Sequence, residues 1–512
     1  MTTASEPHGG GDGGGAIASG FAWTSLGRLT LQAANLVALI VTSRYITPAE
    51  FGLFAPAVII GSLAYAVSDG TFATALLQRQ TLEVDHVRTS FWASLLSALA
   101  ATLVLVATAP WVERAFGFQG LASVIAVSAL TLPPRLVAAV PTALLQREMR
   151  FRELTTVSIA TALIGRIGPT VGFAIAGFGV WALVIGFVAQ SYLDAALLLW
   201  RAKPSLAWPR DWSRAHDVIG FGGRVMAIQS LNQVASNVDN VLVGRLLGAV
   251  ALGFYSRIFA LMMLPVNLIG SSAQQVLFPR FARSQDDRHD LRPQLYLAVD
   301  LVNGLALPLS ALLIVVADSL VLVALGPAWT SIILPTRVLF AAVAFRIGFK
   351  VTETLSIATA SLMPTLWRQA WYAGLVALGT LVGSRWGLTG VATGVALAVM
   401  IMYLISLRAA ARLVDASGRA LALLHLRGAG IAALTAGPAV LLSSLGGDDL
   451  TARLAGDALA GLFFCAAMTF VMFMGPRWLG GASAEIATKH ASRLLRAVMP
   501  LEPAVREEEG RP

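Results

Sequence analysis

The stretch Arg44-Tyr-Ile-Thr-Pro-Ala-Glu-Phe-Gly52 determines how this 512-residue chain is organised, because its outline recurs 201 residues later as Arg245-Leu-Leu-Gly-Ala-Val-Ala-Leu-Gly253. The same ungapped offset pairs three further positions: Gln32 with Gln233, Leu76 with Leu277 and Arg79 with Arg280. One offset that holds over two apolar segments and the loop between them indicates an internal repeat.

The composition places the repeat in a membrane. The chain is 56% hydrophobic and only 13% charged, with a mean hydropathy of +0.73. A soluble domain carries roughly 25% charged residues, so this chain has too little polar surface to coat a water-soluble protein of its size. The soluble classes are excluded, and an all-α integral membrane protein is predicted.

Apolar stretches long enough to span a bilayer, about 20 residues each, recur along the chain. They number fourteen: 20–43, 52–77, 90–109, 121–141, 155–175, 179–200, 217–243, 251–277, 295–316, 329–349, 366–384, 387–407, 428–446 and 456–475. Six of them separate equivalent points of the repeat, so the two copies run parallel. The pattern predicts two parallel six-helix bundles around a central cavity, a transporter plan, with two extra C-terminal helices outside the repeat.

The predicted organisation divides the chain into six parts. These are a disordered cytoplasmic tail (1–19), helices 1–6 (20–200), a cytoplasmic linker (201–216), helices 7–12 (217–413), helices 13 and 14 (428–476) and a cytoplasmic tail (477–512). Of the 37 basic residues, 24 then fall on the inner side, five on the outer side and eight within the spans. By the positive-inside rule, both termini are cytoplasmic.

Two of the predicted helices carry polar stripes at matching depth. Helix 1 presents Arg28, Gln32 and Asn35 on one face, and helix 7 presents a second set on one face: Gln229, Asn232, Ser236, Asp239 and Asn240. Lipid does not tolerate such stripes, so they face protein or water. They serve either as interhelical hydrogen-bonding groups or as the lining of a hydrated cavity, and the recurrence in register favours the cavity.

Basic residues outnumber acidic ones inside the predicted spans. A cationic interior suits an anionic substrate such as a pyrophosphate, which guanidinium groups bind bidentately. Arg28 and Arg166 lie nearest mid-helix and complete the list of substrate-binding candidates. Arg257, Arg337 and Lys350 fall near predicted helix ends, where their side chains are expected to extend to the membrane interface.

Two acidic residues inside the spans are candidates for a coupling ion. Asp239 and Asp300 could bind a proton or Na⁺, and each could equally form a permanent ion pair with an arginine. No catalytic, metal or cofactor site is predicted. The only cysteine is Cys465, no histidine pair has metal-ligand spacing, and the sequence contains no G-x-x-x-x-G-K-[ST] phosphate loop.

Several motifs together resemble the polysaccharide transporter family, which comprises lipopolysaccharide, O-antigen and exopolysaccharide flippases within the multidrug/oligosaccharidyl-lipid/polysaccharide exporter superfamily. They are Arg44–Gly52, Ser68-Asp-Gly70, Ala75-Leu-Leu-Gln-Arg79, Phe91-Trp92, Leu145-Gln-Arg-Glu-Met-Arg-Phe151, Gly177-Phe-Gly-Val-Trp-Ala-Leu183, Gly253-Phe-Tyr-Ser256, Leu264-Pro265 and Val276-Leu-Phe-Pro279. Most of these residues fall at predicted helix ends and turns, where they are expected to specify the fold rather than the substrate.

The resemblance implies an alternating-access flippase of the bacterial inner membrane that uses no ATP. Its implied substrate is an undecaprenyl-pyrophosphate-linked oligosaccharide. The expected partners are this lipid-linked oligosaccharide, membrane lipids and the polysaccharide polymerase or export proteins, with no nucleic acid among them.

Three alternatives differ in the features they require. A cation-coupled multidrug antiporter of the same superfamily should carry acidic lobes, whereas the charge excess here is basic. A membrane enzyme such as a glycan polymerase should carry a sizeable outer loop, and none is predicted. A lipid II flippase remains open within the flippase class.

Overall fold

The computed structural model of the chain describes residues 13–78, 83–209, 233, 236–285, 287–359, 362–444 and 450–478. In these ranges the secondary structure is entirely helical. The first half contains eight α-helices and one π-helix: α1 (Gly13–Tyr45), α2 (Pro48–Gln78), α3 (Val84–Phe116), α4 (Leu121–Ala129), α5 (Leu132–Arg147), α6 (Phe151–Ala160), π1 (Thr161–Ile167), α7 (Gly168–Ile175) and α8 (Val180–Ala202).

The second half contains ten α-helices, a second π-helix and two short 3₁₀-helices. They are α9 (Val238–Pro265), π2 (Val266–Gly270), α10 (Ser271–Arg283), α11 (Arg288–Val315), α12 (Ala317–Ala324), the 3₁₀-helix Pro327–Ile332, α13 (Ile333–Ala341), α14 (Val343–Ala358), α15 (Leu362–Gly383), the 3₁₀-helix Ser384–Trp386, α16 (Gly387–Leu413), α17 (Gly418–Ser444) and α18 (Leu450–Trp478).

The helices have the length and composition of membrane spans. Within the described part of the chain, ten continuous helical stretches are long and apolar enough to cross a bilayer. Two of them, Val238–Arg283 and Trp367–Leu413, contain 46 and 47 residues, roughly twice the 20 or so that one crossing needs. Large apolar side chains such as Leu103 and Leu434 are exposed, as expected at a lipid-facing surface. The protein is an all-α multi-pass membrane protein.

The helices form two compact units that are each discontinuous in sequence. The first unit comprises the described residues up to Leu264 together with Leu320–Leu339 and Trp367–Ala398. The second comprises Pro265–Ser319, Phe340–Leu366 and the described residues from Val399 onward.

Helix α5 occupies the centre of the first unit. Its residues Val137 and Val140 pack in one buried cluster with Leu76 of α2 and Phe91 of α3. Its residues on another face pack with α6 and α8, where Leu145 contacts a cluster that includes Val157 and Leu198. Pro133 and Pro134 lie in the first turn of α5, where proline's missing N–H is tolerated because that group has no intrahelical acceptor. The predicted span 121–141 is therefore divided into two consecutive helices, α4 and α5.

A capping box forms at the start of α2, within the Thr47-Pro-Ala-Glu50 part of the opening motif. The backbone N–H of Thr47 donates to Glu50 Oε2 at 2.7 Å, and the Glu50 N–H donates to Thr47 Oγ1 at 3.4 Å. Pro48 follows at the first helical position. These reciprocal bonds satisfy backbone groups that a helix N-terminus leaves open, so the motif fixes where α2 begins.

Helices α2 and α9 approach each other closely at residues that the 201-residue offset of the sequence pairs. A Cβ atom on Gly52 would overlap the carbonyl oxygen of Ala249, and a Cβ on Gly253 would overlap the carbonyl oxygen of Pro48. The 201-residue offset carries Pro48 onto Ala249 and Gly52 onto Gly253, so the two close approaches are one contact made twice. Glycine at both positions is what allows α2 and α9 to touch backbone to backbone.

Helix α17 is an integral part of the second unit. A Cβ on Gly428 would lie 2.9 Å from the backbone oxygen of Asn303, so α17 packs closely on α11. Arg427 Nη1 lies 3.0 Å from Asp300 Oδ2, and His425 Nε2 lies 2.7 Å from Tyr403 Oη. Polar and backbone contacts therefore attach this additional helix to the second unit.

Candidate functional site

Arg257 of α9 lies over an aromatic ring in the first unit. Its guanidinium carbon is 4.0 Å from the centroid of the Phe51 ring on α2. Phe51 is held in place from the other side by the buried indole of Trp329, whose ring centroid is 5.8 Å away and whose Nε1–H donates to the Ser43 carbonyl at 3.0 Å. A guanidinium over a ring face is attracted by the ring's negative quadrupole.

Arg135 of α5 repeats this arrangement nearby. Its guanidinium carbon lies 5.3 Å from the centroid of the Phe187 ring on α8. Phe187 in turn packs edge-on against Phe54, with ring centroids 6.0 Å apart. Because Phe51 and Phe54 lie about one turn apart on α2, the two arginine–aromatic pairs belong to one continuous group of side chains.

Arg166 lies in the π-helix π1, between α6 and α7. The side chain is exposed. The extra residue per turn of a π-helix reorients side chains relative to an α-helix, and π-helical turns are frequent at functional sites. Next to it, Gly165 allows close contact with α8, since a Cβ there would lie 2.9 Å from the Gln190 Cα.

One acidic side chain accompanies these arginines. Asp194 lies on α8, two turns from Phe187, and its Oδ1 accepts a hydrogen bond from Thr161 Oγ1 at 3.2 Å. Asp194 also interacts electrostatically with Arg135. The acid is therefore positioned by a hydroxyl group at the start of π1, and its single charge offsets only part of the positive charge around it.

We refer to Arg135, Arg166 and Arg257 as the arginine cluster. Arg135 repels Arg166, and Arg166 repels Arg257. The Nε–H of Arg257 is buried and has no hydrogen-bond partner among the described residues. An unsatisfied buried donor costs about 1–3 kcal/mol, more when the group is charged. The arrangement therefore favours an anion, which would relieve the repulsion and accept the free donor.

Besides Arg166, four of the substrate-binding candidates singled out from the sequence have side chains that the structure describes. On α1, Gln32 is half-buried and Asn35 is exposed. Ser236 is exposed in the turn before α9, and Asn240 is buried in the first turn of α9. The Asn240 amide donates to Asp239 Oδ1 at 3.2 Å. Two other candidates, Gln229 and Asn232, and the side chain of Arg28 lie outside the residues that the structure describes.

The two acidic candidates lie in different units. Asp239 is buried in the first unit, where its Oδ2 accepts a 2.6 Å hydrogen bond from the Tyr255 hydroxyl. Asp300 belongs to the second unit and forms the ion pair with Arg427. The structure therefore gives both carboxylates protein partners in this conformation.

The structure gives Arg257 and Lys350 contacts with protein groups. Arg257 lies in α9 after the kink at Gly248, and its guanidinium group lies over the Phe51 ring. Lys350 lies in the middle of α14 and contacts Asn267 and Ser271. The sequence analysis also missed Arg135 as a site residue. A usable signal was its position directly after Pro133-Pro134, where a broken span brings polar groups inward.

Comparison with known sequences identifies related proteins. A family profile described as "Polysaccharide biosynthesis protein" matches residues 41–334. The chain is 23% identical to the teichuronic acid biosynthesis protein TuaB of Bacillus subtilis over 61% of this chain and 65% of that protein. It is 26% identical to the succinoglycan biosynthesis transport protein ExoT of Rhizobium meliloti over 60% of this chain and 62% of that protein. The matched region thus spans slightly less than two thirds of these relatives' own length.

Comparison with solved structures identifies the fold. The lipid II flippase MurJ in an inward closed conformation superposes with a TM-score of 0.71 at 14% identity, covering 88% of this chain and 98% of that chain. An inward-facing multidrug resistance MATE family transporter of the MOP superfamily superposes with a TM-score of 0.58 at 15% identity, covering 75% and 94%. Both are multi-helix membrane transporters, as the resemblance of the sequence motifs implies.

The family profile covers more than half of the chain and includes the motif Arg44–Gly52. The expected family is thereby confirmed. The protein belongs to the polysaccharide biosynthesis protein family.

Proposed function

We propose that the protein is a flippase that moves an undecaprenyl-pyrophosphate-linked oligosaccharide across the bacterial inner membrane by alternating access, for lipopolysaccharide or exopolysaccharide biosynthesis. The observation that carries this proposal is the arginine cluster in the first unit, where Arg257 and Arg135 lie over aromatic rings and, among the described residues, Asp194 is the acidic side chain that interacts with Arg135. Relatives named for succinoglycan transport and teichuronic acid biosynthesis support the substrate class.

The chemistry of the arginine cluster fits a diphosphate. Guanidinium groups form paired, charge-assisted hydrogen bonds with phosphate oxygens, and these bonds are strongest where water is scarce. A diphosphate carries enough negative charge to neutralise the part of the arginine cluster's positive charge that the Asp194 carboxylate does not offset. The prenyl chain can stay in the hydrocarbon while the polar headgroup passes through a hydrated, positively charged interior, which lowers the barrier to crossing.

The wider architecture completes the proposal. It comprises fourteen crossings, two six-helix lobes at 20–200 and 217–413, helices 13 and 14 at 428–476, and cytoplasmic termini. In it, Arg28, Gln32 and Asn35 of helix 1 and the polar residues of helix 7 line the same hydrated path as Arg166. The partners are membrane lipids and the polymerase or export proteins of the same biosynthetic system.

The coupling ion is assigned to one of the two acidic candidates. Asp239 and Asp300 are each hydrogen-bonded or ion-paired, so a proton or Na⁺ that binds there must displace or rearrange a partner. Transport in proteoliposomes under imposed H⁺ or Na⁺ gradients distinguishes the ions. Loss of gradient dependence in Asp239→Asn or in Asp300→Asn then identifies the carboxylate.

The superfamily also contains cation-coupled multidrug antiporters, which are the alternative. Three neighbouring guanidinium groups would repel a cationic drug, so the arginine cluster disfavours that function. A lipid II flippase is the second alternative, since the fold superposes on MurJ.

Deletion of the gene in its host separates these functions. A polysaccharide flippase predicts accumulation of the undecaprenyl-pyrophosphate-linked unit and loss of surface glycan, both restored by the wild-type gene but not by Arg166→Gln. Sensitivity to cationic dyes without accumulation would instead indicate the antiporter. Accumulation of lipid II would indicate the lipid II flippase.

A further inference from the structure

Three arginines surround the turn between α16 and α17 on the surface of the second unit. Arg408 and Arg412 lie one turn apart near the end of α16, and Arg419 is the second residue of α17. All three side chains are exposed. The apolar spans Trp367–Leu413 and Gly418–Ser443 meet at this turn, so the arginines lie at the ends of two membrane-crossing helices. We call these three residues the corner arginines.

Each helix continues from its corner arginine into an exposed apolar stripe. On α16, Leu404 lies one turn before Arg408 and is 42% exposed. On α17, Leu423 and Leu426 lie one and two turns after Arg419 and are 57% and 67% exposed. Leucine side chains on the outside of a span contact acyl chains, which are as apolar as leucine itself. The two stripes therefore form a lipid-facing surface that ends in positive charge.

The acidic residue nearest to the corner arginines in the sequence is engaged elsewhere. It is Asp415, whose Oδ2 lies 3.6 Å from Nη1 of Arg288 on α11. Within the part of the chain that the structure describes, no carboxylate pairs with Arg408, Arg412 or Arg419. Their positive charge is therefore available to a ligand.

Helix α11 holds the turn between the corner arginines in place. Arg292 Nε donates to the carbonyl oxygen of Val414 at 3.1 Å, and the Ser417 N–H donates to Tyr296 Oη at 2.7 Å. Arg292 and Tyr296 are four residues apart, so one face of α11 contacts both ends of the turn. The helix ends that carry the corner arginines are thus fixed relative to each other, and a preorganised site loses less entropy when it binds a ligand.

The position of Arg419 is unfavourable for the helix alone. It lies in the first turn of α17, where the helix dipole favours negative charge, and a cation is favoured at the opposite end. An anion bound there would interact favourably with the guanidinium group and with the open backbone N–H groups of the helix start. Arg419 therefore suits an anionic ligand better than it suits the isolated helix.

We propose that the corner arginines bind the phosphate of an anionic phospholipid, whose acyl chains lie along Leu404, Leu423 and Leu426. Guanidinium groups form paired, charge-assisted hydrogen bonds with phosphate oxygens. The ammonium group of a zwitterionic phospholipid is repelled by the same arginines, so the site selects lipids with a net negative charge. The site lies on the lipid-facing surface and goes beyond the proposed flippase function without depending on it.

The test titrates the full chain, purified in detergent, with phosphatidylglycerol or with phosphatidylethanolamine of identical acyl chains. Native mass spectrometry counts the bound lipids. The wild type should bind phosphatidylglycerol in preference to phosphatidylethanolamine. The triple variant Arg408→Gln/Arg412→Gln/Arg419→Gln should bind phosphatidylglycerol about a hundredfold more weakly, because each basic residue near anionic lipid contributes roughly fivefold in affinity.

Two further triple variants separate the site from net charge and from folding. Arg114→Gln/Arg245→Gln/Arg385→Gln removes the same charge from three exposed arginines elsewhere in the fold and should leave phosphatidylglycerol binding unchanged. Replacement of the three corner arginines by lysine keeps the charge and should preserve the preference for phosphatidylglycerol. A lysine variant that binds this lipid no better than the glutamine variant would contradict recognition by charge.

Three other results would overturn the proposal. They are equal binding of the two lipids to the wild type, unchanged phosphatidylglycerol binding in the glutamine variant, and an equal loss in the control variant. The last probe is glycerophosphoglycerol, the same headgroup without acyl chains. It should displace phosphatidylglycerol only in large excess, and displacement at equal concentration would assign the corner arginines to a water-soluble phosphate ester instead of a lipid.

Discussion

The guanidinium carbon of Arg257 on α9 lies 4.0 Å from the centre of the Phe51 ring on α2, and this contact joins the two helices at a charged side chain. An arginine inside a membrane protein usually pairs with a carboxylate or reaches water. An aromatic ring stabilises the cation without neutralising it. The Phe51 ring therefore does not neutralise the positive charge of Arg257 as a carboxylate would.

Arg257→Gln should reduce glycan export at least about tenfold, because a charge-assisted hydrogen bond to phosphate is worth about 1.5–3 kcal/mol. The measurement is the amount of surface polysaccharide in a complemented deletion strain, with membrane abundance measured in parallel. Arg114→Gln is the matched control, since Arg114 is exposed in the last turn of α3. Normal export by Arg257→Gln at normal abundance would remove Arg257 from the substrate path.

Phe51→Leu tests the ring separately from the charge. Loss of the ring face should cost about 0.5–2 kcal/mol of cation–π attraction and leave the arginine less well positioned. Export should therefore fall by less than in Arg257→Gln. In the double variant, the additional loss caused by Phe51→Leu should be small, because the guanidinium group that the ring positions is already absent. Fully independent effects of the two substitutions would show that the ring acts elsewhere.

Gly52→Ala and Gly253→Ala should each destabilise the protein, because the new methyl group would overlap a backbone carbonyl that cannot move alone. Overpacking of this kind costs about 1–3 kcal/mol. Thermal unfolding in detergent, followed by the loss of the monodisperse peak in size-exclusion chromatography, measures the effect. Gly61→Ala on the same helix α2 is the control, since no atom lies within 4 Å of its added Cβ. Equal stability of all three variants would contradict the backbone contact.

Charge exchange tests the ion pair between Asp300 and Arg427. Asp300→Asn should lower the free energy of unfolding of the second unit by about 1 kcal/mol. This value is close to that of solvent-exposed ion pairs, because the Asp300 and Arg427 side chains are 19% and 33% exposed. The double variant Asp300→Arg/Arg427→Asp should recover most of that stability if the pair is structural. Recovery of stability without recovery of transport would assign Asp300 a role in ion coupling as well.

Thr47→Ala should lower the stability of the start of α2, because it removes one half of the capping box. The expected loss in the free energy of unfolding is about 1 kcal/mol. Thr108→Ala provides the comparison, since the Thr108 hydroxyl bonds only within its own helix, to the Val104 carbonyl at 2.7 Å. Thermal unfolding measures both variants, and an equal effect would contradict the capping role.

The sequence predicted the helical membrane class and the family, and its 201-residue offset paired Gly52 with Gly253. It did not predict that these two glycines touch, because an offset between repeats gives equivalence and not distance. The contact of Arg257 with Phe51 was not predicted for a related reason. Hydropathy locates a span only to within several residues and does not identify the partner of an arginine inside it. Arg135 was missed because its aromatic partner lies on another helix, and no spacing in the sequence links α5 to Phe187.

The contact between Gly52 and Gly253 has a consequence for how substitutions at this crossing can combine. Each glycine faces a backbone carbonyl of the other helix, that of Ala249 or that of Pro48. A backbone carbonyl has no side chain that a second substitution could shorten, so no change on the facing helix makes room for a larger residue at either position. The requirement for glycine is therefore separate at each of the two positions, and neither can compensate for the other.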